Sequence, residues 1–298
     1  GRFWDPCPNM VARFPCLTEI DPTDTYDVVI VDDDSTAMCL EGVPSKARIW
    51  YIHRGYHEGG PACDYYHQYF NEHFGDVHIL FPDASRKELI GNFFRHTPPS
   101  TLLLPIVPIP HNYVNISSGR NGKCCIVGTA LRKKCAMYGH DDEVDEVFGF
   151  LASLGSRADY YGASPSIELS GIHRGEISTP YETPATIRDY SVSVHMSHVK
   201  TMGFTLLEAL AAGVPVITTP KLLLPQEYSG RCYVIANNPE EFKLWTNRLL
   251  TDELLSLEMG KAGQDFVKAD FSISLYRERI TSWMQSAIML QNQNKGTP

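Results

Sequence analysis

Residues 201–220 read TMGFTLLEALAAGVPVITTP. A Gly-Phe turn leads into a short helical run that carries Glu208 and stops at Gly213, and Val-Pro-Val-Ile follows at once. A helix N-terminus collects unpaired N–H groups and positive partial charge, so it attracts anions. One carboxylate in the first turns, above an Ala-Leu-Ala-Ala face suited to a sheet, fits the phosphate and ribose of a nucleotide. The same residues also fit an ordinary amphipathic helix of an α/β domain, and the segment alone does not separate the two readings. Its surroundings do.

The chain has 298 residues, enough for two domains on the usual size scaling. Apolar residues make up 43% and charged residues 20%, the composition of a globular protein rather than a disordered or fibrous one. A net charge of -9 disfavours nucleic acid as a partner, because that affinity comes from Lys and Arg neutralising phosphates. No apolar run reaches the ~18 residues of a transmembrane segment, and Gly1-Arg2-Phe3-Trp4 does not read as a signal peptide. The eight cysteines are scattered without a C-x-x-C pair, which points away from zinc and from a disulfide framework. They read as reduced thiols of a cytoplasmic protein, where the glycosylation triplet Asn115-Ile116-Ser117 has no meaning.

Strand-like and helix-like runs alternate throughout, the pattern of a parallel α/β architecture. In the first third the strands fall at 27–31, 48–52, 77–81 and 102–106, with helices around 63–74 and 85–94. The stretch 105–123, PIVPIPHNYVNISSGRNGK, is rich in Pro, Asn, Ser and Gly and reads as an interdomain linker. A second series follows. Strands are expected at 123–127, 158–161, 191–195, 214–218 and 232–235, with helices at 142–154, 184–190, 239–249, 252–268 and 274–288 besides the one carrying Glu208. The expected architecture is two Rossmann-like domains, 1–116 and 117–298, facing a cleft.

The second series resembles the retaining GT-B glycosyltransferases of the family-4 group. The opening strand ends in Ile126-Val127-Gly128 and is followed by Arg132, Lys133 and Lys134. Further on, VSVHMSHVKTMGFTLLEALAAGVPVITTP aligns Ser197, Gly203, Glu208, Gly213 and Pro215 with that family's motif, and the tail through Phe271-Ser272 looks like its closing helices. The resemblance runs from Lys123 to the C-terminus. It implies a GT-B fold whose C-terminal helix packs back on the first domain. It also implies a retaining hexosyl- or pentosyltransferase that takes a UDP- or GDP-linked sugar. The donor-binding residues implied are Gly128, Thr129, Arg132, Lys134, Ser197, Met202, Gly203, Phe204, Thr205 and Glu208. No metal and no cofactor are expected, because basic side chains and helix N-termini would neutralise the leaving diphosphate. The acceptor is open: a glycan, lipid, protein or small molecule.

The chain departs from that family's pattern in three places. The first Glu of its Glu-x7-Glu motif falls at Lys200, which has three donors and no acceptor. The Arg that follows the first strand's Gly is Thr129. The N-terminal half is shorter than the family's, so a reduced domain and a partial chain are both open. Lys200 keeps a second reading alive, a catalytically silent GT-B domain that serves as a binding or scaffold module. In the N-terminal half His53 ends the run ARIWYIH ahead of a Gly-rich loop, where ligands meet open α/β sheets. His53 and Lys200 are therefore the catalytic candidates. The triplet Asp32-Asp33-Asp34 resembles a metal-binding carboxylate motif of another transferase class, but reads better as a strand-end turn.

Overall fold

The computed structural model describes residues 26–31, 45–51, 78–81, 101–103, 115–127, 141–162, 167–177, 182–196, 203–220 and 224–295. Strands β1 (Tyr26–Val31), β2 (Ser45–Tyr51), β3 (His78–Phe81) and β4 (Thr101–Leu103) form a parallel sheet in that order. The four strands expected in the first third are therefore present, although β2 begins at Ser45 rather than at 48. Residues 104–106 and the expected helices at 63–74 and 85–94 lie outside the described residues.

The second sheet contains β5 (Cys124–Val127), β6 (Ala158–Tyr161), β7 (Val192–His195), β8 (Val216–Thr218) and β9 (Tyr233–Ile235), again all parallel. Their spatial order is β6-β5-β7-β8-β9. Parallel strands covered on both faces need apolar residues at every position, and Cys-Cys-Ile-Val in β5 supplies them. Cys124 and Ile126 face one core and Cys125 the other, as alternation along a strand requires. Helices α1 (Asp141–Ser153) and α4 (Pro239–Thr251) cover the first face through Val147, Phe148, Phe242 and Leu249. On the opposite face lie α2 (Thr183–Ile187) and α3 (Phe204–Ala211), which contribute Ile187, Leu206, Leu207 and Leu210. Helix α5 (Glu253–Asp270) reaches both cores, with Met259 in one and Phe266 and Val267 in the other.

Cys124, Cys125 and Cys232 are buried free thiols, and burial pushes Cys125 up to about 12. Helix starts follow capping chemistry. Asn238 accepts from Glu241 N at 2.8 Å ahead of Pro239, and Asp252 accepts from Leu255 N at 3.0 Å. Two expected boundaries move for local reasons. Strand β8 begins at Val216 rather than 214, because Pro215 has no N–H to donate; its carbonyl accepts from Ser193 N at 2.9 Å. Helix α2 stops at Ile187 and residues 188–189 form a turn.

The last helix, α6 (Ile273–Lys295), runs past the expected end at 288. It packs on β1 and β2 of the first sheet, burying Trp283 and Ala287 beside Val28. The return of the C-terminal helix to the first sheet is therefore a feature of the fold. Among the described residues no helix is long and apolar enough to cross a membrane.

Candidate functional site

The strand order places the site. The chain steps outward from β5 to β6, then crosses β5 to continue through β7, β8 and β9. Strand order thus reverses between β5 and β7, and in open α/β sheets ligands bind beyond the C-terminal ends of strands at such a switch point. Here those ends are Val127 and His195.

Helix α3 follows β7 with Gly203 at its N-cap, in an extended conformation that carries no capping side chain. Its first N–H groups therefore lack the side-chain partner that Ser, Thr, Asp or Asn would supply. Glycine is required at this position for space. A Cβ on Gly203 would run into His195 Nε2 and lie 2.7 Å from His195 Cε1. On its other side His195 Nδ1 lies 2.9 Å from Thr205 Oγ1. Burial alone lowers the imidazole pKa to about 4, so His195 is neutral at ordinary pH.

Glu208, one turn further along α3, is 7% exposed. Its carboxylate is hydrogen-bonded by the Thr183 hydroxyl at the start of α2, yet Oε2 has no partner among the described residues. Burial pushes its pKa up to about 7, against the smaller lowering by Thr183. An orphaned buried carboxylate oxygen is costly, and such groups commonly mark where a ligand completes the hydrogen bonding.

The C-terminal end of α3 is pinned from the linker. Arg120 donates through Nη2 to Gly213 O and through Nη1 to Arg188 O at 2.8 Å. Gly213 ends the helix at φ 72°, with Ile116 packed where a Cβ would stand. Gly260 lets α5 approach closely enough that its own Cβ would land on Gly213 O. A separate polar cluster surrounds Asp159 in β6, which accepts from Arg174 Nε at 2.5 Å, Tyr190 OH at 2.7 Å and Lys123 Nζ at 3.1 Å. Burial raises the Asp159 pKa, but these hydrogen bonds outweigh it and leave the carboxyl below its usual value. Lys123 and Tyr190 precede β5 and β7, so this cluster sits off the C-terminal strand ends and is fully paired.

Three of the residues singled out from sequence, Gly203, Thr205 and Glu208, fall together on α3. Phe204 is the first residue of that helix; its backbone alone is described. His53, Gly128, Thr129, Arg132, Lys134, Ser197, Lys200 and Met202 lie outside the described residues, as does the Asp32-Asp33-Asp34 triplet. Two side chains that the sequence reading missed, His195 and Thr183, hold the α3 residues from neighbouring elements. A polar residue closing an apolar strand was the available signal for His195. Nothing local signalled Thr183.

Residues 142–285 match the family described as glycosyl transferase-like. Over 86% to 88% of this chain the fold is shared with several solved glycosyltransferases at low identity. S. aureus TarM, solved as a mutant in complex with fondaparinux, alpha-GlcNAc-glycerol and UDP, superposes with a TM-score of 0.62 at 12% identity, over 86% of this chain and 55% of its own. Anabaena HepE, in complex with UDP and glucose, gives 0.65 at 10% identity, over 87% of this chain and 78% of its own. A trehalose-6-phosphate synthase studied for glycosyl transfer with retention gives 0.60 at 13%, over 88% and 74%. This chain has the GT-B fold. It spans about half the length of TarM, with 55% of that protein covered. No curated protein sequence is a significant match to it.

The family match begins just inside α1, so it covers β6 to β9 and α2 to α5 but not β5. It ends within α6, the helix that has by then crossed to the first sheet.

Proposed function

We propose that this chain is a glycosyltransferase that moves a sugar from a nucleoside-diphosphate donor to an acceptor. The observation that carries the proposal is buried Glu208, whose Oε2 has no partner among the described residues, on α3, the helix that follows the switch-point strand β7. A ribose hydroxyl donating to Oε2 would supply the missing partner, while the uncapped first turn of α3 suits the diphosphate. UDP is the favoured nucleotide, because TarM and HepE of the same fold were both solved with UDP. Retention of configuration is favoured by the family-4 resemblance and by the trehalose-6-phosphate synthase of like fold. Arg132 and Lys134 would stabilise charge on the leaving diphosphate, His53 and Lys200 would face the sugar, and Gly128, Thr129, Ser197 and Met202 would line the donor. Residues 1–116 would hold the acceptor and residues 117–298 the donor.

The chemistry asked of these groups is electrostatic. As the bond between the anomeric carbon and the diphosphate oxygen breaks, negative charge accumulates on the leaving group. Fixed N–H dipoles and basic side chains stabilise that charge without a metal ion. Lys200, where the family-4 pattern has a carboxylate, favours a second reading: a GT-B module that binds nucleotide without turning over its sugar. One experiment separates the two. The full chain is incubated with UDP- and GDP-sugars, with and without EDTA, while thermal shift and released nucleoside diphosphate are recorded. EDTA-resistant release from one donor is the expected result. Stabilisation without release from any donor would favour the silent module, and no response to any nucleotide would overturn the donor site itself.

A further inference from the structure

The donor-site reading leaves His195 without a stated role, and its geometry is unusual for a strand terminus. Residues 192–194 of β7 are fully enclosed, and an apolar side chain would end such a strand at least cost. Instead the strand ends in a half-buried imidazole, and desolvation lowers its pKa to about 4. Among the described residues no charged group contributes to that shift. One edge of the ring meets Thr205 Oγ1 through Nδ1 at 2.9 Å. The other fills the space beside Gly203 Cα, with Cε1 and Cδ2 lying 2.7 and 3.2 Å from the position a Cβ would take. Gly203 is the N-cap of α3 and Thr205 its second residue, so one side chain grips both sides of the helix's opening turn.

We propose that His195 is a positioning residue of the donor site, holding the Gly203–Thr205 turn so that the first N–H groups of α3 point at the donor's diphosphate. The inference rests on the donor-site reading above. It adds a division of labour along one helix: Glu208 serves the ribose, and the His195–Thr205 pair serves the diphosphate. Because His195 remains neutral, it orients the turn without adding charge of its own. The bond to Thr205 uses Nδ1, so asparagine, whose amide lies near the Nδ1 position, is the conservative replacement. Glutamine reaches instead toward the Nε2 position.

The test is calorimetric titration of the full chain with UDP and uridine, and with GDP and guanosine, for wild type, His195→Phe, His195→Asn, Thr205→Val and the Phe/Val double variant. Phenylalanine keeps the ring that fills the space beside Gly203 and removes the nitrogens. Wild type is expected to bind one diphosphate and its nucleoside. His195→Phe and Thr205→Val should each weaken the diphosphate about tenfold, the ratio expected for one lost hydrogen bond. Neither should change nucleoside affinity. The double variant should be no weaker than either single one, and His195→Asn should recover most of the loss. Unchanged diphosphate affinity in Thr205→Val, a near-isosteric change that keeps the fold, would overturn the assignment while leaving the donor site standing. Parallel loss of diphosphate and nucleoside in all variants would overturn it too, since it would mean general damage to α3. Absence of all binding by wild type would remove the donor reading, and this inference with it.

Discussion

Replacing Glu208 by Gln should make the protein more stable and a poorer nucleotide binder at the same pH, and the size of the first effect follows from the site. The Glu208 carboxyl has a pKa near 7 in the fold and an ordinary value of 4.5 when exposed. Below pH 4.5 both states are protonated and the group contributes nothing. Between 4.5 and about 7 the unfolded chain gives up the proton while the fold keeps it, so stability falls as pH rises. Above about 7 both are ionised and the penalty is constant. At about 1.4 kcal/mol per pH unit, it reaches about 3 kcal/mol in full and changes by about 2.5 kcal/mol between pH 5 and pH 8. Glutamine keeps the shape and an acceptor for Thr183, and it cannot ionise. The stability of Glu208→Gln relative to wild type should therefore rise by about 2.5 kcal/mol from pH 5 to pH 8, or roughly 5 °C in melting temperature for a chain of this size. Thermal melts of both proteins across that range provide the assay, with UDP titration at pH 8 beside them. Weaker UDP binding together with the pH-dependent gain is the expected pair. A stability difference that stays flat with pH would refute the argument that an ionised, underpaired carboxylate is held there. Unchanged UDP affinity would remove Glu208 from the donor site even if the stability argument held.

Three further outcomes follow from the packing. Gly260→Ala should cost about 1–3 kcal/mol or more, because its Cβ would meet the Gly213 carbonyl and lie 2.5 Å from Arg120 Nη2; urea unfolding measures it. Trp283→Ala should destabilise by about 3–5 kcal/mol, since the indole is 6% exposed between α6 and the first sheet, and amide exchange in β1 and β2 should rise with it. Asp159→Asn should flatten the acid limb of the stability profile. The lowered pKa of Asp159 contributes stability that is present above its ordinary value of 3.8 and lost as pH falls through the folded value. Acid titrations followed by circular dichroism, with wild type losing stability more steeply than the variant below about pH 4, would check it.

The sequence was most informative where structure is local. Continuous apolar runs such as 124–127 became central parallel strands, and Gly203 and Gly213 bracketed α3 as a turn and a left-handed cap lead one to expect. Strand β8 shortened at Pro215, a detail that follows from its missing N–H and was there to be read. What escaped were side chains whose partners lie elsewhere in the chain. Arg120 sits in a Gly/Asn/Ser-rich stretch that reads as a linker, yet its guanidinium reaches three distant carbonyls, at Arg188 just after α2, Gly213 just after α3 and Ser256 in α5. Thr183 meets Glu208 only because α2 and α3 pack on the same face of the sheet. His195 reads as the last residue of a strand, and its contacts appear only once Gly203 and Thr205 are seen to stand against it. Periodicity reports which face of an element is buried. It carries no record of which polar atom waits on the other side.

These long-range contacts matter because α3 cannot hold its own shape. A helix of eight residues spans about 12 Å and is unstable in water by itself, since nucleation costs more than so few hydrogen bonds return. Its geometry is therefore set by what grips it. Leu206, Leu207 and Leu210 seal one side in the core, Arg120 and the Gly260 contact fix the C-terminal end, and His195 fixes the N-terminal turn. Between those anchors the helix carries a carboxylate whose burial is unfavourable whenever it is ionised. Anchors at both ends keep that carboxylate from relieving its cost by tilting the helix toward water. On the proposed donor-site reading, a hydroxyl donor reaching Oε2 would relieve the penalty at Glu208. On that reading affinity would come from the rigidity of the frame as much as from the carboxylate, and loosening either anchor should weaken binding even with Glu208 intact.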